Sequence, residues 1–150
     1  MASTPTSDAL YRYKPLTPTT QEIRLLTLLP GEWASPIECN VKHVDLDDGP
    51  EYEALSYTWG DLNDKVDIRV EGATFSVTRN LEVALRYLRH ETQERVLWID
   101  AVCINQVDSA EKSTQIQAMY RIFSSADRVL AWTGKESNDS NTAMDLIEEL

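Results

Sequence analysis

Asp100 ends an uninterrupted apolar run, Val96 to Ile99, and Cys103, Asn105 and Gln106 follow closely. A carboxylate, a thiol and two amides beyond one strand end can hold a ligand, and the carboxylate can also move a proton or stabilise positive charge. Trp59, Gly60 and Asp61 end a second apolar and aromatic segment in the same manner and offer another acid. Each group also has a structural reading. Asp100 can cap the following loop by accepting backbone N–H bonds, and Asn105 and Gln106 can satisfy a turn. Glu111 stands three residues after Asp108, where a helix cap accounts for it more simply than catalysis does. As a nucleophile, Cys103 would need His43 or His90 as its base. Cysteine is among the most buried residue types, which favours a core thiol. Trp59 and Trp132 suit rim packing as well as ligand stacking. Glu148 and Glu149 fit a solvated helix end.

Elements must position these groups. The Val96 run, rich in β-branched and aromatic side chains, predicts a strand buried on both faces, central in a parallel sheet. Ligands of open α/β sheets bind beyond the carboxyl ends of the strands, where Asp100, Cys103, Asn105 and Gln106 would fall. Earlier in the chain, Ile23, Leu25, Thr27 and Leu29 alternate along a strand that Pro30-Gly31 closes. Further strands are expected at Ile37 to Val44 and Tyr52 to Gly60, and Glu71-Gly72 marks an edge hairpin between Val66, Ile68, Val70 and Phe75, Val77.

Asn80 predicts the N-cap of a helix burying Leu81, Ala84, Leu85 and Leu88. Asp108 and Glu111 predict a capping box and a helix with Ile116, Met119, Tyr120 and Phe123 on its inner face. A short strand, Val129 to Trp132, then precedes a helix from about Asp139 with Ala143, Met144, Ile147 and Leu150 inward. The alternation from Tyr52 onward predicts βαβ units and a three-layer α/β fold with a mainly parallel sheet, the N-terminal strands and the hairpin being additions. Residues 1–20, rich in Ser, Thr and Pro, read as a flexible arm that Tyr11, Tyr13 and Leu16 could pin in part. Residues 21–150 read as the domain. Its last helix lacks a stop signal, which predicts that the domain is cut at its C-terminal side.

Composition narrows the function. At 150 residues with 42% hydrophobic and 26% charged, the chain fits one core, burying roughly 70% of the unfolded surface. The net charge of −11 opposes nucleic-acid binding, which needs clustered cations, and disfavours an anionic membrane surface. Cys39, Cys103, His43 and His90 show no paired ligand spacing, so no metal site is expected. No apolar h-region or spanning stretch is present, so a cytoplasmic protein without membrane insertion is the expectation. Neither GxGxxG nor a Walker pattern occurs, which argues against a dehydrogenase or P-loop NTPase and predicts no bound cofactor.

Taken together, EIRLLTLLPG, YEALSYTWGD, VTRNLEVALRYLR, VLWIDAVCINQ and the series Asp108, Glu111, Gln115, Met119 are ordered blocks running from about Glu22 to Gly134. In these the chain closely resembles the fungal heterokaryon incompatibility (HET) domain, departing at Phe123, where a Tyr is usual, and at Thr133, where a Leu is usual. The resemblance implies a role in nonself recognition and regulated cell death, with sensor domains or partner proteins beside the effector. HET domains are in turn distantly similar to TIR domains, and on that likeness SYTWGD, LWID and RVLAW match the first three TIR strands. Some TIR domains cleave NAD, which would make NAD a substrate here. Such a site needs a carboxylate against an oxocarbenium-like state and an aromatic wall. Asp100 and Glu111 are then the catalytic candidates, with Trp59, Asp61, Cys103, Asn105 and Gln106 as ligand contacts and Tyr57 and Trp132 as further walls. The competing expectation is a noncatalytic module that signals by self-association.

Overall fold

The computed structural model describes residues 9–17, 21–132 and the backbone of 144–147. Among these lie strands β1 (Glu22–Leu28), β2 (Glu38–Asp45), β3 (Glu53–Tyr57), β4 (Lys65–Val70), β5 (Ala73–Thr78), β6 (Arg95–Trp98), β7 (Arg128–Trp132) and β8 (Met144–Ile147). The helices are α1 (Arg79–Leu88), α2 (Asp100–Cys103), α3 (Ser109–Gln117) and α4 (Met119–Ser125). The strands form one sheet in the order β5-β4-β2-β1-β6-β3-β7-β8.

The sheet is mixed, which corrects the mainly parallel one expected. β6, β3 and β7 run parallel, with Tyr57 opposite Trp132. By contrast β1 pairs antiparallel with both β2 and β6, and the edge pairs β4–β5 and β7–β8 are antiparallel as well. Nor are the N-terminal strands additions. β1 lies beside β6 in the middle of the sheet, and Ile23, Arg24, Leu25 and Leu26 are all buried, so both its faces belong to the core. Burial on both faces is also found at Leu97, Trp98 and Ile99, as the apolar run predicts. The hairpin at Glu71-Gly72 forms as expected, with both residues at positive φ, and places β5 at the sheet edge.

Three helix assignments change. α1 is capped by Thr78, whose hydroxyl accepts from Leu81 N–H, so Asn80 lies inside the first turn with its amide free for other partners. Ala118 separates α3 from α4 and shifts the helical phase, so Gln115 and Ile122 turn inward while Ile116 and Tyr120 are 51% and 84% exposed. Met144–Ile147, expected in a helix, is a strand in antiparallel register with β7. There the open β7 edge, a tertiary partner, overrides the local helical period. The remainder of that expected helix, with Glu148 and Glu149, falls outside the described residues.

Residues 9–17 lie against the sheet. Tyr11 N–H donates to Thr74 O, Tyr11 and Tyr13 meet edge-on at 5.1 Å, and the Tyr13 hydroxyl donates to Val102 O at 2.7 Å. α1 packs on β4 and β5, and its C-cap Arg89 donates to the carbonyls of Glu32, Trp33, Ser35 and Pro36, fixing the β1–β2 connection. Tyr13→Phe keeps the ring and removes the bonds to α2, so a loss of about 1–2 kcal/mol is expected. Urea unfolding checks this, as a lowered midpoint at unchanged slope.

Candidate functional site

The carboxyl ends of β6, β3 and β7 lie side by side, and the chain reverses direction across the sheet there, since β6 and β7 flank β3 on opposite sides. That is where α/β sheets offer a crevice. Asp100 opens α2 directly beyond β6 and is half-buried. Its carboxylate accepts from Ala101 N–H and from the indole N–H of Trp59, yet burial outweighs these bonds and raises its pKa. Trp59, two residues beyond the end of β3, stacks on Tyr57 with the rings 6.4 Å apart and 6° from parallel. The structure thus brings Asp100, Trp59 and Tyr57 together.

Asn80 holds the loop that carries Trp59. Its amide N–H donates to Thr58 O while its carbonyl accepts from the Trp132 indole at 3.1 Å. Gly60 follows at φ +78°, and a Cβ there would sit 3.1 Å from the Asn80 Cβ. Gly60 is therefore required by a left-handed turn pressed against α1. Asn80 read from the sequence as a helix cap, and nothing local distinguishes it from one; its bridging role depends on the β3–β7 pairing. The glycine was the available signal.

The other candidates bond to the surrounding scaffold or lie buried within it, apart from the exposed Asp61. Glu111 forms a bidentate pair with Arg24, at 2.6 and 3.0 Å, and accepts from Asn105 N–H at 2.8 Å. Asp108 caps α3 as expected by accepting from Glu111 N–H, but the Glu111 carboxylate turns to Arg24 instead of completing the capping box. The structure thus places Glu111, a catalytic candidate from the sequence, as the buried ion-pair partner of Arg24. Cys103, a ligand contact on the sequence reading, is fully buried, and desolvation pushes its thiol up to about 12. His43 pairs instead with Glu22 at 3.6 Å, and His90 is exposed. Asn105 accepts from Val107 N–H in an Asx turn, and Gln106 donates to Asp100 O and Ile104 O, so both amides fasten the loop after Asp100. Asp61 is exposed and accepts from Asn63 N–H in a similar turn.

Cavities also lie away from this cluster. One of about 200 Å³ separates residues 15–17 from α3 and has Glu111 and Gln115 in its wall. Another, about 440 Å³, opens at the amino-terminal ends of β3, β6 and β7 beside Glu53, Arg95 and Arg128. Among the described residues no group of three or more His, Cys, Asp or Glu could hold a metal ion, and no helix is long and apolar enough to cross a membrane.

The segment holding these strand ends, residues 52–150, matches the family model described as Heterokaryon incompatibility protein (HET). The chain belongs to the HET family. It is 37% identical over 142 residues to Heterokaryon incompatibility protein 6, OR allele, of Neurospora crassa, covering 85% of this chain. This HET chain spans about a fifth (21%) of the length of that relative. No solved structure matches it.

For this HET domain, Glu111→Gln strands a buried guanidinium and is expected to cost about 3–5 kcal/mol by urea unfolding; a cost below about 1 kcal/mol would contradict the ion-pair role. Asp100 behaves oppositely. Its folded pKa is raised above the ordinary 3.8, so its protonated form favours the fold and stability is lost as pH climbs from about that value through the folded pKa. Asp100→Asn, which can still accept from Ala101 and Trp59, is therefore expected to melt at or above the wild-type temperature at pH 7. Its advantage should shrink toward pH 3.5, which thermal melts across that range would measure.

Proposed function

We propose that this chain is the effector domain of a fungal incompatibility system, acting in the cytoplasm in regulated cell death, and that it cleaves NAD at the Asp100, Trp59 and Tyr57 cluster. The observation that carries the reading is a half-buried carboxylate, tied to an indole and beside a phenol, at the carboxyl ends of adjacent parallel strands. Family membership and the incompatibility relative support the biological role. A TIR-type layering draws support from strand order: β6-β3-β7 is second, first, third in the chain, as in flavodoxin-type sheets.

In the proposed reaction the bond between the nicotinamide nitrogen and ribose C1′ breaks, and nicotinamide leaves as a neutral base with the bonding pair. Water adds at C1′ and releases one proton. Ionised Asp100 stabilises the positive charge that develops on the ribose, and the aromatic pair gives the departing ring a wall. NAD is here a substrate, with no resident cofactor required. Sensor domains or partner proteins would set when the effector acts.

A second reading, a noncatalytic module that self-associates, is favoured by one observation: Val107, Ile116 and Tyr120 are exposed at 90%, 51% and 84%. The two readings part in one experiment. Purified protein at high concentration is incubated with NAD and assayed for free nicotinamide by chromatography, beside Asp100→Asn. Release by wild type and a loss of at least about 100-fold in the still-folded variant is expected. Concentration-dependent assembly with no nicotinamide would favour the module.

A further inference from the structure

The Tyr57 hydroxyl is buried and has no hydrogen-bond partner among the described residues, although its ring is only half-buried. A phenylalanine would place the same ring on Trp59 without desolvating a hydroxyl. Packing alone therefore does not account for the oxygen, and buried polar groups left unpaired in native proteins call for a reason. Location supplies one. Tyr57 is the last residue of β3, stacked on the indole that donates to Asp100, at the strand ends where a ligand would lie.

We propose that Tyr57 is a ligand-binding residue whose hydroxyl donates to a hydrogen-bond acceptor on the molecule that Asp100 and Trp59 engage. The inference rests on the strand-end site proposed above and deepens it by naming the ligand's chemistry. Burial and the nearby Asp100 charge hold the phenol in its protonated form, so it acts as a donor. Asp100 favours positive charge or a donor on the ligand, and the stacked rings favour a planar, electron-poor group. The ligand is then a cationic heteroaromatic ring bearing an acceptor such as a carboxamide oxygen. A bare cationic ring lacks half of that recognition.

The test compares 1-methylnicotinamide, which carries cation and carboxamide, with 1-methylpyridinium, which carries the cation alone. Binding to wild type and Tyr57→Phe is followed by calorimetry or chemical-shift titration, and melting temperatures are taken without ligand. Wild type should prefer 1-methylnicotinamide by at least about 10-fold, and Tyr57→Phe should reduce that preference to about twofold or less. The variant should melt no lower than wild type, since it removes a buried hydroxyl that has no partner among the described residues. A wild type that binds both probes equally overturns the proposal, as does a variant that keeps the preference or melts several degrees lower. A wild type that binds neither overturns the strand-end site itself, and the role of Tyr57 with it.

Discussion

The buried pair between Arg24 and Glu111 is the constraint on which the rest of the structure depends. Arg24 is fully buried on β1, and besides the carboxylate its guanidinium donates to Cys103 O and Lys14 O while lying 4.6 Å over the Tyr13 ring. One side chain thus joins the middle of the sheet, the segment 9–17, the end of α2 and the start of α3. An arginine can do this because its planar fork presents several donors at fixed angles. Burying that charge is tolerable only when the carboxylate and the carbonyls are all in place. The pair consequently couples elements that are far apart in sequence, and it rigidifies the loop that follows Asp100.

With α2 fixed on one side, the Trp59 loop is fixed on the other by Asn80, Gly60 and Trp132. The Asp100 carboxylate is then held between two independently anchored segments. Its bonds to Trp59 and Ala101 fall short of offsetting burial, so its ionised form remains less stable than in water. A carboxylate kept in that condition, beside a phenol unpaired among the described residues, is poised to gain from a positively charged partner. On the proposed reading, stability and function pull against each other at this point, and the scaffold around Arg24 sustains the conflict.

The aromatic residues divide along the same line. Trp98 and Trp132 are buried and serve the core, Trp98 meeting Phe123 edge-on at 5.5 Å and Trp132 bonding to Asn80. Trp59 and Tyr57 are only half-buried and border the site. Trp33, 54% exposed, packs on Tyr87 over the connection that Arg86 and Arg89 brace, so its position follows from that bracing.

The sequence alone determined the local pieces whose cause is local. Alternation marked β1 and β2, the Glu71-Gly72 pair marked the hairpin, and continuous apolarity marked β6 as a strand covered on both sides, because side-chain period and turn geometry act between near neighbours. It also singled out Asp100 and Trp59 as strand-end groups, and the blocks around them indicated the HET family. Tertiary structure decided what depends on partners distant in the chain. Glu111 looked like half of a capping box until Arg24, 87 positions away, claimed its carboxylate. Asn80 looked like a cap until Thr78 took that role and left its amide to Thr58 and Trp132. Cys103 became a core thiol once β1 covered it, and Met144–Ile147 became a strand because β7 offered an open edge. A side chain with several possible partners is assigned by whichever the fold brings within reach, and that competition is settled in three dimensions.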